Sequence, residues 1–124
     1  MFFPQSGSIL MSEHLEQVRL VAWFRRTYPE HKIYSIPNGG MRSKSFGAKQ
    51  KAEGLLKGVH DLHVPSLNLW IEMKLDKTKK PSKEQLEWGA YVESIGHTWF
   101  VGHGFEDAQK KVLDAMPKLL QSVK

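Results

Sequence analysis

Apolar and polar positions recur with two periods along this chain, and the changes of period mark its elements. Ser12 is a capping residue, and Leu15, Val18, Val21 and Ala22 follow at helical spacing until Pro29 interrupts, which predicts a first helix. Glu13 and Glu16 near its start and Arg25 and Arg26 near its end suit the helix dipole. Residues 32–36, KIYSI, predict a short strand closed by the turn signal Pro37-Asn38-Gly39-Gly40. Ala48, Ala52, Leu55 and Leu56 then predict a helix ending near Gly58. VHDLHV (59–64) and LWIEMKL (69–75) read as two strands around Pro65-Ser66-Leu67-Asn68, a hairpin. The basic loop DKTKKPSK leads to a capped helix from Ser82 to about Ser94. HTWFV (97–101) predicts a last strand, and a final helix from about Glu106 holds Pro117, where a kink is expected.

The order helix, strand, helix, strand, strand, helix, strand, helix predicts a mixed α/β domain built on a central hairpin. Residues 1–11 show no period and read as a flexible leader, leaving a single domain over 12–124, a length that supports one core. MFFPQSGSIL has neither the basic start nor the sustained apolar run of a secretion signal. No apolar run approaches the ~20 residues a membrane span needs, so no membrane partner is expected. Composition adds two constraints. Eighteen Lys and Arg against thirteen Asp and Glu give a net charge of +5, which favours a polyanionic partner. The absence of cysteine excludes disulfides, Cys-based zinc sites and a Cys nucleophile.

The hairpin carries the chemistry. A connection centred between Ser66 and Leu67 sets Asp61 opposite Glu72. One face then shows Val59, Asp61 and His63 against Trp70, Glu72 and Lys74. The other shows His60, Leu62 and Val64 against Leu69, Ile71, Met73 and Leu75, an apolar surface expected to face the core. Carboxylates directly opposed on a sheet lie roughly 5 Å apart at Cβ and repel, at a cost on the order of several kcal/mol for close charges. A shared proton, Lys74 or a divalent cation would offset this, and an all-oxygen donor set suits Mg²⁺ or Mn²⁺ better than zinc. A solvated salt-bridge surface is the other reading of the same residues.

Asp61 followed by Glu72-Met73-Lys74 has the form D-x(n)-E-x-K and resembles the signature of the PD-(D/E)xK nucleases, the restriction-endonuclease-like superfamily. The wider context, IPNGGMR (36–42), KAEGLLKGVHDL (51–62), LWIEMK (69–74) and SKEQLEW (82–88), resembles the VRR-NUC family in order and spacing, and the likeness runs over about residues 12–115. It implies an α/β, restriction-endonuclease-like mixed central sheet with a catalytic β-hairpin flanked by helices. It also implies a Mg²⁺- or Mn²⁺-dependent endodeoxyribonuclease leaving 5′-phosphates. By analogy with standalone relatives, that enzyme would be a homodimer cutting four-way (Holliday) junctions in the cytoplasm of a bacterial or phage-infected cell. In one departure His60 replaces the family's usual Pro, and the hairpin register would turn it toward the apolar face.

Residue by residue, the resemblance implies that Asp61, Glu72 and the carbonyl of Met73 hold the metal and that Glu16, beside Gln17, completes the acidic cluster. Glu13 lies one turn earlier on a similar face. Lys74 would orient the attacking water, and Gln85 matches a further active-site position, although Ser82 and Gln85 also form a plain capping box. Asn38, Arg42 and Lys44 are expected on phosphate, with Lys77, Lys79, Lys80 and Lys83 as a second, sequence-blind basic patch. His63 shares the proposed catalytic face. His97 and His103 read as surface residues, and the four tryptophans as packing. A catalytically silent DNA-binding module and a flap- or RNA-directed nuclease are the competing functional readings.

Overall fold

A computed structural model of the chain describes residues 12–37 and 44–122, with side chains of the second segment from position 47 onward. The expected leader and turn at 38–40 lie outside the described residues. Helix α1 (Glu13–Thr27) begins at Ser12, whose hydroxyl accepts from the Leu15 amide at 3.1 Å. Two-residue β1 (Tyr34–Ser35) and α2 (Lys44–Ala52) follow. The hairpin of β2 (Leu62–Val64) and β3 (Leu69–Lys74) is joined by a 3₁₀ turn, Pro65–Leu67. Asn68 closes that turn in the left-handed region, φ 51°. Helix α3 (Lys83–Ser94), β4 (Thr98–His103) and α4 (Phe105–Gln121) complete the chain.

The sheet has the order β1-β2-β3-β4, antiparallel except for the parallel β3–β4 pair that α3 connects. The hairpin takes the expected register, with Leu62 opposite Ile71, His63 opposite Trp70 and Val64 opposite Leu69. Leu62, Val64, Leu69, Ile71 and Met73 lie buried under α1 and α4, together with Leu20, Phe24, Ala108, Val112 and Met116. Burying each large aliphatic side chain contributes about 1.5–3 kcal/mol. Gly102 permits that closeness, because a Cβ there would stand 2.6 Å from the Ala108 methyl.

Several boundaries differ from the sequence reading, each for a local reason. The predicted buried stripe of α1 is turned: Val18 is half exposed, while Leu20 and Phe24 face the core. Positions 13, 16, 20 and 24 recur at helical spacing along one stripe, with Leu20 and Phe24 buried, Glu16 half-buried and Glu13 exposed at its N-terminal end. Helix α2 stops at Ala52 rather than near Gly58, because Gly54 takes φ 113° and the Leu55 amide bonds back to the Gln50 carbonyl. Strand pairing shrinks to Tyr34–Ser35 in the first strand and begins only at Leu62 in the second. The last strand runs on to His103, and α4 continues through Pro117 to Gln121.

Candidate active site

Strand β3 is buried on both faces, and its second face is where the polar groups collect. There Trp70 stacks on His63 with ring centroids 3.7 Å apart and meets Trp88 of α3 edge-on at 5.2 Å. Gly89 of α3 brings the helix backbone directly onto the Trp99 ring. Further along the same face comes Glu72, only 1% exposed. Lys74 sits beside it, Nζ 3.6 Å from Glu72 Oε2, with a side chain 15% exposed against 2% for the acid. Lys74 is therefore the member of the pair that reaches the protein surface.

Asp61 does not belong to the ladder proper. Its carbonyl accepts from the Ile36 amide at 2.9 Å, and its carboxylate Oδ2 accepts from the Met73 amide at 2.7 Å. The side chain thus docks on the main chain of β3 between Glu72 and Lys74, and this contact, rather than the ladder pairing the sequence predicts, brings the two acids together. Burial comes first and Asp61 second in pushing the Glu72 carboxyl up to about 8, with Lys74 pulling the other way. Glu72 Oε1 is buried and has no hydrogen-bond partner. The Asp61 carboxyl also hydrogen-bonds Glu72, so a shared proton holds the pair together, while the orphaned Oε1 leaves a site short of positive charge that a divalent cation fits. Among the described residues no three carboxylate or imidazole groups cluster as a ready-made metal cage. A cation here would draw on Asp61, Glu72 and main-chain or solvent oxygen.

A third acid, the exposed Glu13 of α1, is coupled to this pair through its charge. Its carboxyl is raised by burial and then by Asp61, with Lys74 opposing, and it in turn adds to the charge felt by Glu72. Glu16, expected to complete the cluster, is engaged elsewhere: Oε1 accepts from the Phe105 amide at 2.7 Å and Oε2 lies 3.6 Å from Arg19. The matching Gln17 favoured Glu16 in the sequence. The signal for Glu13 was its alignment, at helical spacing, with the buried Leu20 and Phe24, which a reading centred on Val18 missed.

Gln85 forms the capping box with Ser82, its Oε1 accepting from the Ser82 amide at 2.8 Å and its own amide donating to Ser82 Oγ at 3.1 Å. His60 does not turn to the apolar face. It is fully buried against Trp99, ring centroids 4.8 Å apart, with Nε2 2.9 Å from the Gln85 carbonyl. The reason is that the chain before Leu62 has left the ladder, so strand alternation no longer applies to it. Tyr34 hydroxyl reaches His63 Nδ1 at 2.8 Å. His97 and His103 are half-buried rather than surface residues: Trp70 Nε1 donates to His97 Nδ1 at 3.0 Å, and His103 Nδ1 lies 3.0 Å from the Asp76 carbonyl. The tryptophans pack, as expected, Trp23 against Phe24, Tyr28 and Phe105.

Lys77, Lys79 and Lys80 stand exposed on the turn that follows Lys74. Asp76 shapes that turn by accepting from the Thr78 amide and hydroxyl. Lys44 opens α2, while Asn38 and Arg42 lie outside the described residues.

A mixed four-stranded sheet between helices, with an acid pair and a lysine at one end of its hairpin, is the architecture expected from the sequence. The fold is that of a VRR-NUC domain. A solved structure described as a VRR_NUC domain protein superimposes with a TM-score of 0.70 over 85% of this chain and 88% of that chain, at 20% identity. No family model and no curated protein matches the sequence.

Proposed function

We propose that this protein is a divalent-metal-dependent endonuclease that hydrolyses phosphodiester bonds in branched DNA, acting on four-way junctions as a homodimer. One observation carries the reading: two carboxylates forced together by the hairpin, one of them buried with an unpartnered oxygen, beside a lysine that reaches the surface. A purely structural salt bridge has no need of the second acid, which worsens the electrostatics of the first. The VRR-NUC fold of the superimposed structure points the same way.

Asp61 and Glu72 would hold the cation, with the Met73 carbonyl beside them and Glu13 adding negative charge directly or through water. The cation would supply Lewis acidity toward water and the phosphate oxygens. The chain's own residues do the rest. The Met73 amide fixes the Asp61 carboxylate, so the acid is held before substrate arrives. Lys74 points its ammonium along the same face as Glu72, where it orients water and meets the charge that builds on the phosphate. Lys77, Lys79 and Lys80 hold the DNA backbone without reading its bases. No side chain forms a covalent bond to the substrate.

The test is cleavage of a labelled four-way junction beside a matched linear duplex, with Mg²⁺, Mn²⁺ or EDTA, using wild type and Asp61→Ala. Metal-dependent cutting confined to the junction and absent from the variant is the expected result. Binding without cutting under every metal would make the chain a DNA-binding module instead. Mass measurement in solution decides the homodimer, and a monomer at micromolar concentration would refute it.

A further inference from the structure

One hydrogen bond joins residues 89 positions apart, the Glu16 carboxylate and the Phe105 amide. Helix α4 starts at Gly104, which offers no side-chain cap, so its first orphan amide must be satisfied from outside. Glu16 supplies that acceptor from α1 at 2.7 Å and sets a negative charge at the positive end of a 17-residue helix. The joint is built tightly. Gly104 takes φ 89°, and a Cβ there would stand 3.2 Å from both Glu16 Oε1 and the Leu75 carbonyl. The Arg19 guanidinium pairs with Glu16 and lies 4.5 Å over the Phe105 ring, while Trp23 meets the same ring edge-on.

What makes the joint functional is its other side. The Gly104 amide donates to the Lys74 carbonyl at 2.9 Å. Two successive amides, Gly104 and Phe105, therefore tie the end of the catalytic strand to Glu16, and Glu13 sits one turn from Glu16 on the same helix face. We propose that Glu16 is a positioning residue: by capping α4 it fixes the helix that carries Glu13 against the strand end that carries Lys74. The inference rests on the metal-site reading above and gives the two α1 acids different duties, charge toward the cation for Glu13 and a main-chain clasp for Glu16.

Glutamine separates the two duties, because its amide oxygen can accept from Phe105 while carrying no charge. The experiment titrates Mn²⁺ alone into wild type, Glu16→Gln, Glu16→Ala and Glu13→Gln by calorimetry, well below every melting temperature, and follows junction cleavage in parallel. Expected are Mn²⁺ affinity and cleavage within about threefold of wild type for Glu16→Gln. Glu16→Ala should fall about tenfold in both, a change of about 1.4 kcal/mol. Glu13→Gln should bind Mn²⁺ more weakly with an unchanged melting temperature. Equal weakening in Glu16→Gln and Glu16→Ala would make Glu16 a metal ligand and overturn the proposal. A lower melting temperature in Glu16→Ala with unaltered Mn²⁺ affinity would also overturn it, reducing the clasp to stability alone. Failure of wild type itself to bind Mn²⁺ would remove the metal-site reading, and the positioning role with it.

Discussion

Strand β3 buries its two faces on different terms. On one, Leu69, Ile71 and Met73 meet the aliphatic side chains of α1 and α4, and burial itself supplies the stabilisation. On the other, Trp70 packs against α3, but Glu72 is buried just as completely at the expense of an unpartnered oxygen and a displaced ionisation. The same six residues thus hold a fully buried part of the core and a part whose burial works against stability. Such a conflict persists where a function needs it. The apolar face is the platform, and the polar face carries the buried acid mounted on it.

Substitutions on the two faces should therefore move different quantities. The largest effect is expected from Asp61→Ala and Lys74→Ala, each abolishing cleavage, by about three orders of magnitude or more on the scale of preorganised charge. Circular dichroism and melting temperature should remain near wild type in both. Full activity in either purified variant would break the assignment of the polar face to catalysis. On the platform, Ile71→Ala should lower unfolding free energy by about 2–5 kcal/mol in urea. Its residual activity should follow the folded fraction.

Glu72 sharpens the contrast through pH. Its carboxyl binds a proton more tightly when folded, with a value of about 8 against an ordinary 4.5. Its contribution to stability is therefore fully present below about 4.5 and is lost as pH rises through 8. In EDTA the melting temperature should fall between pH 5 and pH 9, and Glu72→Gln should flatten that slope. A pH-independent melting temperature in wild type would contradict the burial of an ionisable group. A smaller effect is expected from replacing Lys77, Lys79 and Lys80 together by Ala. Junction affinity should drop uniformly across sequences, and the log–log salt slope should become shallower by about one for each phosphate no longer neutralised.

The order of elements and the hairpin register were legible because period and turn chemistry act locally: Pro65-Ser66-Leu67-Asn68 fixes which residues of β2 and β3 face each other. That register points Asp61 toward Glu72, but the approach itself is made outside the ladder, by the Met73 amide donating to the Asp61 carboxylate. What remained hidden depends on packing between distant segments. Glu13 and Glu16 differ only in what α1 packs against, and the partner of Glu16 is an amide at the start of the last helix. His60 escaped the alternation rule because its backbone leaves the ladder to meet Gln85. His97 and His103 looked like surface residues because their partners, Trp70 and the Asp76 carbonyl, come from other strands and loops.

The proposed cation site at Asp61 and Glu72 is one held partly protonated until metal arrives. Calorimetric titration of Mn²⁺ at pH 6.5, in two buffers of different ionisation enthalpy, measures the protons released on binding. About one proton per ion is expected at that pH, declining to none well above pH 8, since a ligating carboxylate must be ionised. Tight binding with no proton release, or no binding at any pH, would contradict it.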